Sequence, residues 1–123
     1  MQHADSRTIE EFIAAYKNGQ RHFVDWDFDE GGSLQGMNLR EVCFESCFLF
    51  LDFSNAVLTN SAFVQCNIKT ADFSGANLKD ATIKNCSVES TLFTGANTEN
   101  LTFEDNYFYG ATISQDDFER IFK

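Results

Sequence analysis

Proline is absent from this chain of 123 residues, and its seven glycines are scattered, so nothing in it reads as a linker between domains. Histidine is scarce: only His3 and His22 are present, neither lies in a recognisable catalytic motif, and no nucleophile gains a base partner. A phosphate-binding loop is missing as well, because Gly31 and Gly32 run into Ser33 and Leu34 rather than toward a lysine. Asp25, Asp27, Asp29 and Glu30 lack the spacing of a calcium loop. Cys43, Cys47, Cys66 and Cys86 lack the paired spacing of a zinc knuckle and read as reduced, buried thiols. No catalytic, cofactor-binding or metal-binding residue is therefore assigned, and the expectation is a protein that is not an enzyme and carries no cofactor. No apolar run reaches bilayer length, and residues 1–20 lack the apolar core of a secretion signal, so the expected location is cytoplasmic with no membrane partner. Basic residues are few, 9 against 19 acidic, for a net charge of −10. That balance opposes direct contact with nucleic acid and permits docking to a basic protein surface.

What is present is a period of five. Hydrophobic residues recur at Phe23, Phe28, Leu34, Leu39, Phe44, Phe48, Phe53, Leu58, Phe63, Ile68, Phe73, Leu78, Ile83, Val88, Phe93, Phe103, Phe108 and Ile113, with Thr98 the one polar member. The period fits neither an α-helix nor an ordinary strand, and it predicts a chain wound into a regular coil. One residue is gained between Phe28 and Leu34, where Gly31 and Gly32 suit a bulge, and one is lost between Phe44 and Phe48. Ten of the 14 phenylalanines fall on these centres, which predicts an inner aromatic column rather than a nucleic-acid stacking surface.

Segments such as Ala71-Asp72-Phe73-Ser74-Gly75 and Ala76-Asn77-Leu78-Lys79-Asp80 resemble the repeat of the pentapeptide-repeat protein family, in which a small residue, Asp or Asn, and Leu or Phe precede two variable residues. The resemblance implies an all-β solenoid, a right-handed quadrilateral parallel β-helix with four pentapeptides per turn. The small residue two before each centre then also points inward, which agrees with the need for small partners beside Phe and Leu in a dense core. Residues twenty apart should stack at about the 4.8 Å strand spacing. Cys66 and Cys86 then share one column, with Ser46 below and Asn106 above. Thr98 needs either a backbone acceptor inside the coil or a loosened corner.

The expected organisation is an N-terminal tail and capping helix over 1–20, a pentapeptide-repeat β-helix over 21–113 and a C-terminal capping helix over 114–123. Thr8 and Glu11 form a capping-box pattern ahead of the apolar face Ile9, Phe12, Ile13 and Tyr16, and Asn18-Gly19 ends the helix. Ser114 and Asp117 repeat the pattern before Phe118, Ile121 and Phe122, a helix too short to stand alone. It rests either on the last coil or on a second copy of the chain. Leu49 and Phe50 read as an exposed contact pair unless Trp26 or the first helix covers them, and Tyr107 and Tyr109 flank an inward Phe108 and should face outward. The candidate protein-contact residues are thus Leu49, Phe50, Tyr107, Tyr109, Phe118 and Phe122. Two functions follow: a noncatalytic protein-interaction or structural module with an unidentified protein partner, including a homodimer through the C-terminal end, or an acidic DNA mimic. The second is what the resemblance implies, since acidic members of the family bind type II topoisomerases such as DNA gyrase. Lys69, Lys79 and Lys84 interrupt the acidic surface and weigh against it.

Overall fold

A side chain turns inward every five residues because the backbone turns a corner every five residues, and the corner has its own chemistry. The residue two after a centre adopts a left-handed φ: 62° at Asp25, 58° at Asn55, 59° at Asn60, 61° at Asp80 and 57° at Asn100. Asp and Asn tolerate this region better than most residues. Thr70 and Glu41 hold the same geometry, both at 64°, without that advantage, so there the packing of the coil overrides local preference. At most corners outside the first face, the carbonyl of the centre accepts a hydrogen bond from the N–H three residues on, as in Ala56 N to Phe53 O and Ala76 N to Phe73 O, both 3.0 Å.

The computed structural model describes residues 6–122. They wind into a right-handed parallel β-solenoid with a short helix over each end. On the first face, strands β1 (His22–Val24), β2 (Cys43–Glu45), β3 (Ala62–Val64), β4 (Thr82–Lys84) and β5 (Thr102–Glu104) pair in parallel in chain order. Their register stacks Phe23, Phe44, Phe63, Ile83 and Phe103. The other faces are held by bridges between outward positions: Asp27, Phe48, Asn67, Ser87 and Tyr107 on the second; Ser33, Asp52, Asp72 and Leu92 on the third; Asn38, Val57, Asn77 and Asn97 on the fourth. Inside, the third column stacks Phe53, Phe73 and Phe93 face to face, with centroids 5.0 and 5.4 Å apart and planes 2° and 5° from parallel.

One centre lies a residue away from its expected place. Phe48 is half-buried at an outward bridge position, and Leu49, fully buried, is the inward centre beneath Ile68. The small-residue slot decides the frame: Cys47 fills it and donates its thiol to the Phe23 carbonyl at 3.3 Å, whereas Ser46 occupies the left-handed corner at φ 56°. The lost residue therefore falls after Leu49, where Leu51 N reaches back to Leu49 O at 2.9 Å in a tighter turn. The bulge at Gly31 and Gly32 is present, with φ of 76° and 146°, and a side chain on Gly32 would collide with Ile9.

The parallel coil also stops earlier than expected. β6 (Asn106–Phe108) and β7 (Ala111–Ile113) form an antiparallel hairpin, so Ile113 lies on a returning strand opposite Asn106 rather than on a further coil. The antiparallel return pairs the outer edge of β6 with β7, and the parallel ladder ends there. Thr98 sits half-buried in the last coil, and its corner keeps the regular turn, with Leu101 N to Thr98 O at 3.1 Å.

Helix α1 (Ile9–Lys17) closes the N-terminal end with both arms of its capping box formed, Glu11 N to Thr8 Oγ1 at 3.1 Å and Thr8 N to Glu11 Oε1 at 3.2 Å. Its Phe12 plugs the coil, 4.8 Å from the Phe23 ring and 5.5 Å from that of Phe44. Helix α2 (Gln115–Phe122) closes the other end. Ser114 N donates to Asp117 Oδ2 at 3.1 Å, and with Arg120 this holds the Asp117 carboxyl below its ordinary range. The Ser114 hydroxyl is used elsewhere, accepting from Asp105 N at 3.0 Å.

Candidate protein-contact surfaces

Each coil exposes the residues on either side of its centres, so the surface is a set of ladders one residue wide. Exposed aromatic rings belong to one of the four faces. On the second face, Phe50 is 47% exposed near the N-terminal end, and Tyr107 and Tyr109 are 49% and 67% exposed near the other. Tyr109 is held by its own N–H to Glu89 Oε2 at 2.8 Å and by its hydroxyl, 3.3 Å from Ser90 Oγ, so the ring is presented in a set orientation.

The other candidate contact residues are buried or half-buried. Leu49 is buried because it is the centre of its pentad, and Phe50 alone faces out. Phe118 is 1% exposed, with its ring 5.0 Å from Phe103 and 5.2 Å from Phe93. Phe122 is half-buried against Phe93 at 5.0 Å and Phe108 at 5.9 Å. Both rings are thus used as the chain's own lid, which is the first of the two roles open to the C-terminal helix. Trp26 does not cover Phe50 either; it packs on Phe12 and Phe23 at the N-terminal end, under the Arg7 guanidinium 4.8 Å from its ring.

Charge divides the faces unevenly. Lys84 interrupts the first, Lys69 the second, and Arg40 and Lys79 the fourth, where Lys79 Nζ meets Glu99 at 3.9 Å. The third face carries Asp52 and Asp72 and has no lysine or arginine at its outward positions. At its lower corner, Glu30, Gly31, Phe50, Asp52, Thr70 and Asp72 line an open groove of about 350 Å³.

The cysteines form an interior feature instead of a reactive one. Cys47, Cys66 and Cys86 stack in one small-residue column, Cys47 taking the place expected of Ser46, and Asn106 completes it. Each thiol donates to a carbonyl of the coil below: Cys47 to Phe23, Cys66 to Phe44 (both 3.3 Å) and Cys86 to Phe63 (3.2 Å). Hydrogen bonding to the neighbouring Cys66 thiol and burial push Cys47 up, and Cys66, lowered by Cys47 but raised by Cys86 and burial, stands at about 12. Hydrogen bonding to the Cys66 thiol lowers Cys86. Cys43, half-buried on the first face, is raised by burial and by Glu45. A thiol reagent at pH 8 should therefore label one cysteine per native chain quickly, Cys43, and four after denaturation; rapid native labelling of a column thiol would contradict the packing.

Among the described residues, no group of three or more His, Cys, Asp or Glu could hold a metal ion, and no helix is long and apolar enough to cross a membrane. His22 meets Glu45 at 3.1 Å on an exposed face, and His3 lies outside the described residues.

The comparisons agree with this geometry. A family model described as a pentapeptide repeat region matches residues 37–113. No curated protein sequence matches the chain. Among solved structures, a trypsin-treated form of QnrB1, a plasmid-mediated fluoroquinolone resistance protein, is similar at 26% identity and a TM-score of 0.50 over 61% of this chain. The match spans 37% of that protein. Rfr23, a pentapeptide repeat protein from the cyanobacterium Cyanothece 51142, is similar over 88% of this chain and all of its own, at 14% identity and a TM-score of 0.40. HetL from the cyanobacterium Nostoc, a pentapeptide repeat protein involved in heterocyst differentiation regulation, is similar over 75% of this chain and 49% of its own, at 16% identity and a TM-score of 0.40.

Proposed function

This chain belongs to the pentapeptide-repeat family, and on that premise we propose that it is a noncatalytic protein-interaction module whose rigid outer faces dock a partner protein. The observation that carries the reading is the placement of exposed rings: Phe50, Tyr107 and Tyr109 share the second face, while the phenylalanine centres point inward. Aromatic side chains supply large contact area at low entropic cost, and a continuous coil holds them at a set separation, about 14 Å for three steps of strand spacing. The partner's engagement should be lost in a Tyr107→Ala/Tyr109→Ala variant that melts like the wild type. Capture of the same proteins by wild type and variant would overturn the assignment of this face.

A second reading is favoured by the net charge of −10 and by the likeness to the fluoroquinolone resistance protein. In it the partner is a type II topoisomerase such as DNA gyrase, and the acidic surface stands in for DNA. The third face is the one suited to this, since cations interrupt the other three. A gyrase supercoiling assay with and without a fluoroquinolone tests it: salt-sensitive binding and altered supercoiling or drug response support the reading, and no effect on either removes it.

A further inference from the structure

The groove at the lower corner of the third face combines three features that the fold itself does not require. The first is charge. On the second and fourth faces the residue before a centre binds the N–H two residues on through a neutral amide: Asn67 to Lys69 N, Asn77 to Lys79 N and Asn97 to Glu99 N, at 3.0 to 3.1 Å. On the third face Asp52 and Asp72 make the same bond, to Ser54 N and Ser74 N at 2.8 Å, with one carboxylate oxygen. Asparagine would serve the turn equally, and aspartate adds a second oxygen and a charge. The two residues are direct register partners, so like charges stack across adjacent coils, an arrangement that costs stability. No cation among the described residues pairs with Asp52, Asp72 or Glu30.

The second feature is an aromatic wall. Where the coil loses a residue, Phe50 is thrown outward beside these carboxylates, its ring against the backbone of Gly31. The third is the open space between them, bounded by Gly31 and Thr70. An aromatic face next to unpaired carboxylates in a concave site suits a cation on a long apolar stem. It suits a bare metal ion poorly, since Phe50 and Leu51 stand beside the carboxylates in its lining.

We propose that this groove receives a lysine or arginine side chain from a basic segment of the partner protein, its stem on Phe50 and its charge between Asp52 and Asp72. The proposal rests on the protein-interaction reading and names the chemistry of its partner. Glu30 closes the lower side and adds to the field, while Thr70 offers a hydroxyl at the rim.

The test is a titration of the full-length ¹⁵N-labelled protein with the blocked tripeptides acetyl-Gly-Arg-Gly-amide and acetyl-Gly-Lys-Gly-amide, followed by amide shifts at physiological salt. The largest shifts are expected at Gly31, Phe50, Asp52, Thr70 and Asp72. Phe50→Leu, which keeps an apolar wall but removes the ring, should weaken binding roughly two- to five-fold. Asp52→Asn and Asp72→Asn, which keep the turn bonds, should each weaken it by up to about five-fold. A Glu104→Gln variant on the first face, removing one charge elsewhere, serves as control and should bind as the wild type does. Shifts spread over all faces in proportion to charge, or unaltered binding by Phe50→Leu and the Asn variants, would overturn the proposal. The two readings separate: a partner retained by the groove variants but lost with Tyr107→Ala/Tyr109→Ala removes the groove and keeps the module, whereas localised peptide binding without any protein partner does the reverse.

Discussion

Phe73→Ala should lower the unfolding free energy by about 3–5 kcal/mol, with a matching fall in the urea midpoint, while Ser74→Ala next to it should stay within about 0.5 kcal/mol of the wild type. Phe73 is fully buried, stacked between Phe53 and Phe93 and edge-on to Phe63 at 5.5 Å. Its truncation removes apolar burial and two ring-stacking contacts at once, and the coils above and below cannot close the gap, because their spacing is set by backbone hydrogen bonds. Ser74 lies on the opposite side of the same backbone, half-exposed, and its contribution to the turn is its N–H, which alanine retains. The loss at Phe73 is a large share of the roughly 5–15 kcal/mol by which natural domains are stable. Equal midpoints for the two variants would overturn the inward and outward assignment.

Asn106→Ala should cost about 1–3 kcal/mol, a large effect for the removal of a single amide. Asn106 is fully buried, accepts from Cys86 N at 2.8 Å and donates to Ile83 O at 3.0 Å. Alanine leaves the Cys86 N–H unpaired in a dry interior, at a cost of about 1–3 kcal/mol, whereas the Ile83 carbonyl keeps its place in the parallel ladder between β4 and β5. The column below shows what the residue replaces: each thiol donates to the coil beneath it, Cys47 to the Phe23 carbonyl and Cys66 to that of Phe44. Asn106→Cys should therefore recover most of the loss by continuing the thiol ladder. Thermal or urea denaturation of the two variants checks this, and an Asn106→Cys protein no more stable than Asn106→Ala would show that the column is not a hydrogen-bonding unit.

Much of this architecture was legible in residue order, and the failures have definite causes. Counting by fives from Phe53 to Phe108 finds the inward residues because in that stretch each coil has the same length. The count slipped at Phe48 because Phe48 and Leu49 are both apolar, and only the slot filled by Cys47 distinguishes them. The left-handed corners went unread although Asp, Asn, Gly or Ser recurs two places after most centres, a pattern that could have fixed the frame independently. The hairpin at Tyr109-Gly110 was hidden because Ile113 keeps the period of five while its strand runs backward. Of the candidate contact residues, Phe50, Tyr107 and Tyr109 are exposed, whereas Leu49 and Phe118 are buried. The groove was out of reach because it joins residues from three successive coils.

The sequence by itself determined the coil, its period and its aromatic interior, because these depend on which side chains are apolar and how they are spaced along the chain. The tertiary structure alone decided the frame at Leu49, the reversal after Phe108, the seating of Phe118 and Phe122 on the chain's own last coil and the one face without a cation at its outward positions. Those depend on hydrogen bonds and contacts between residues about twenty apart, which no single pentapeptide encodes.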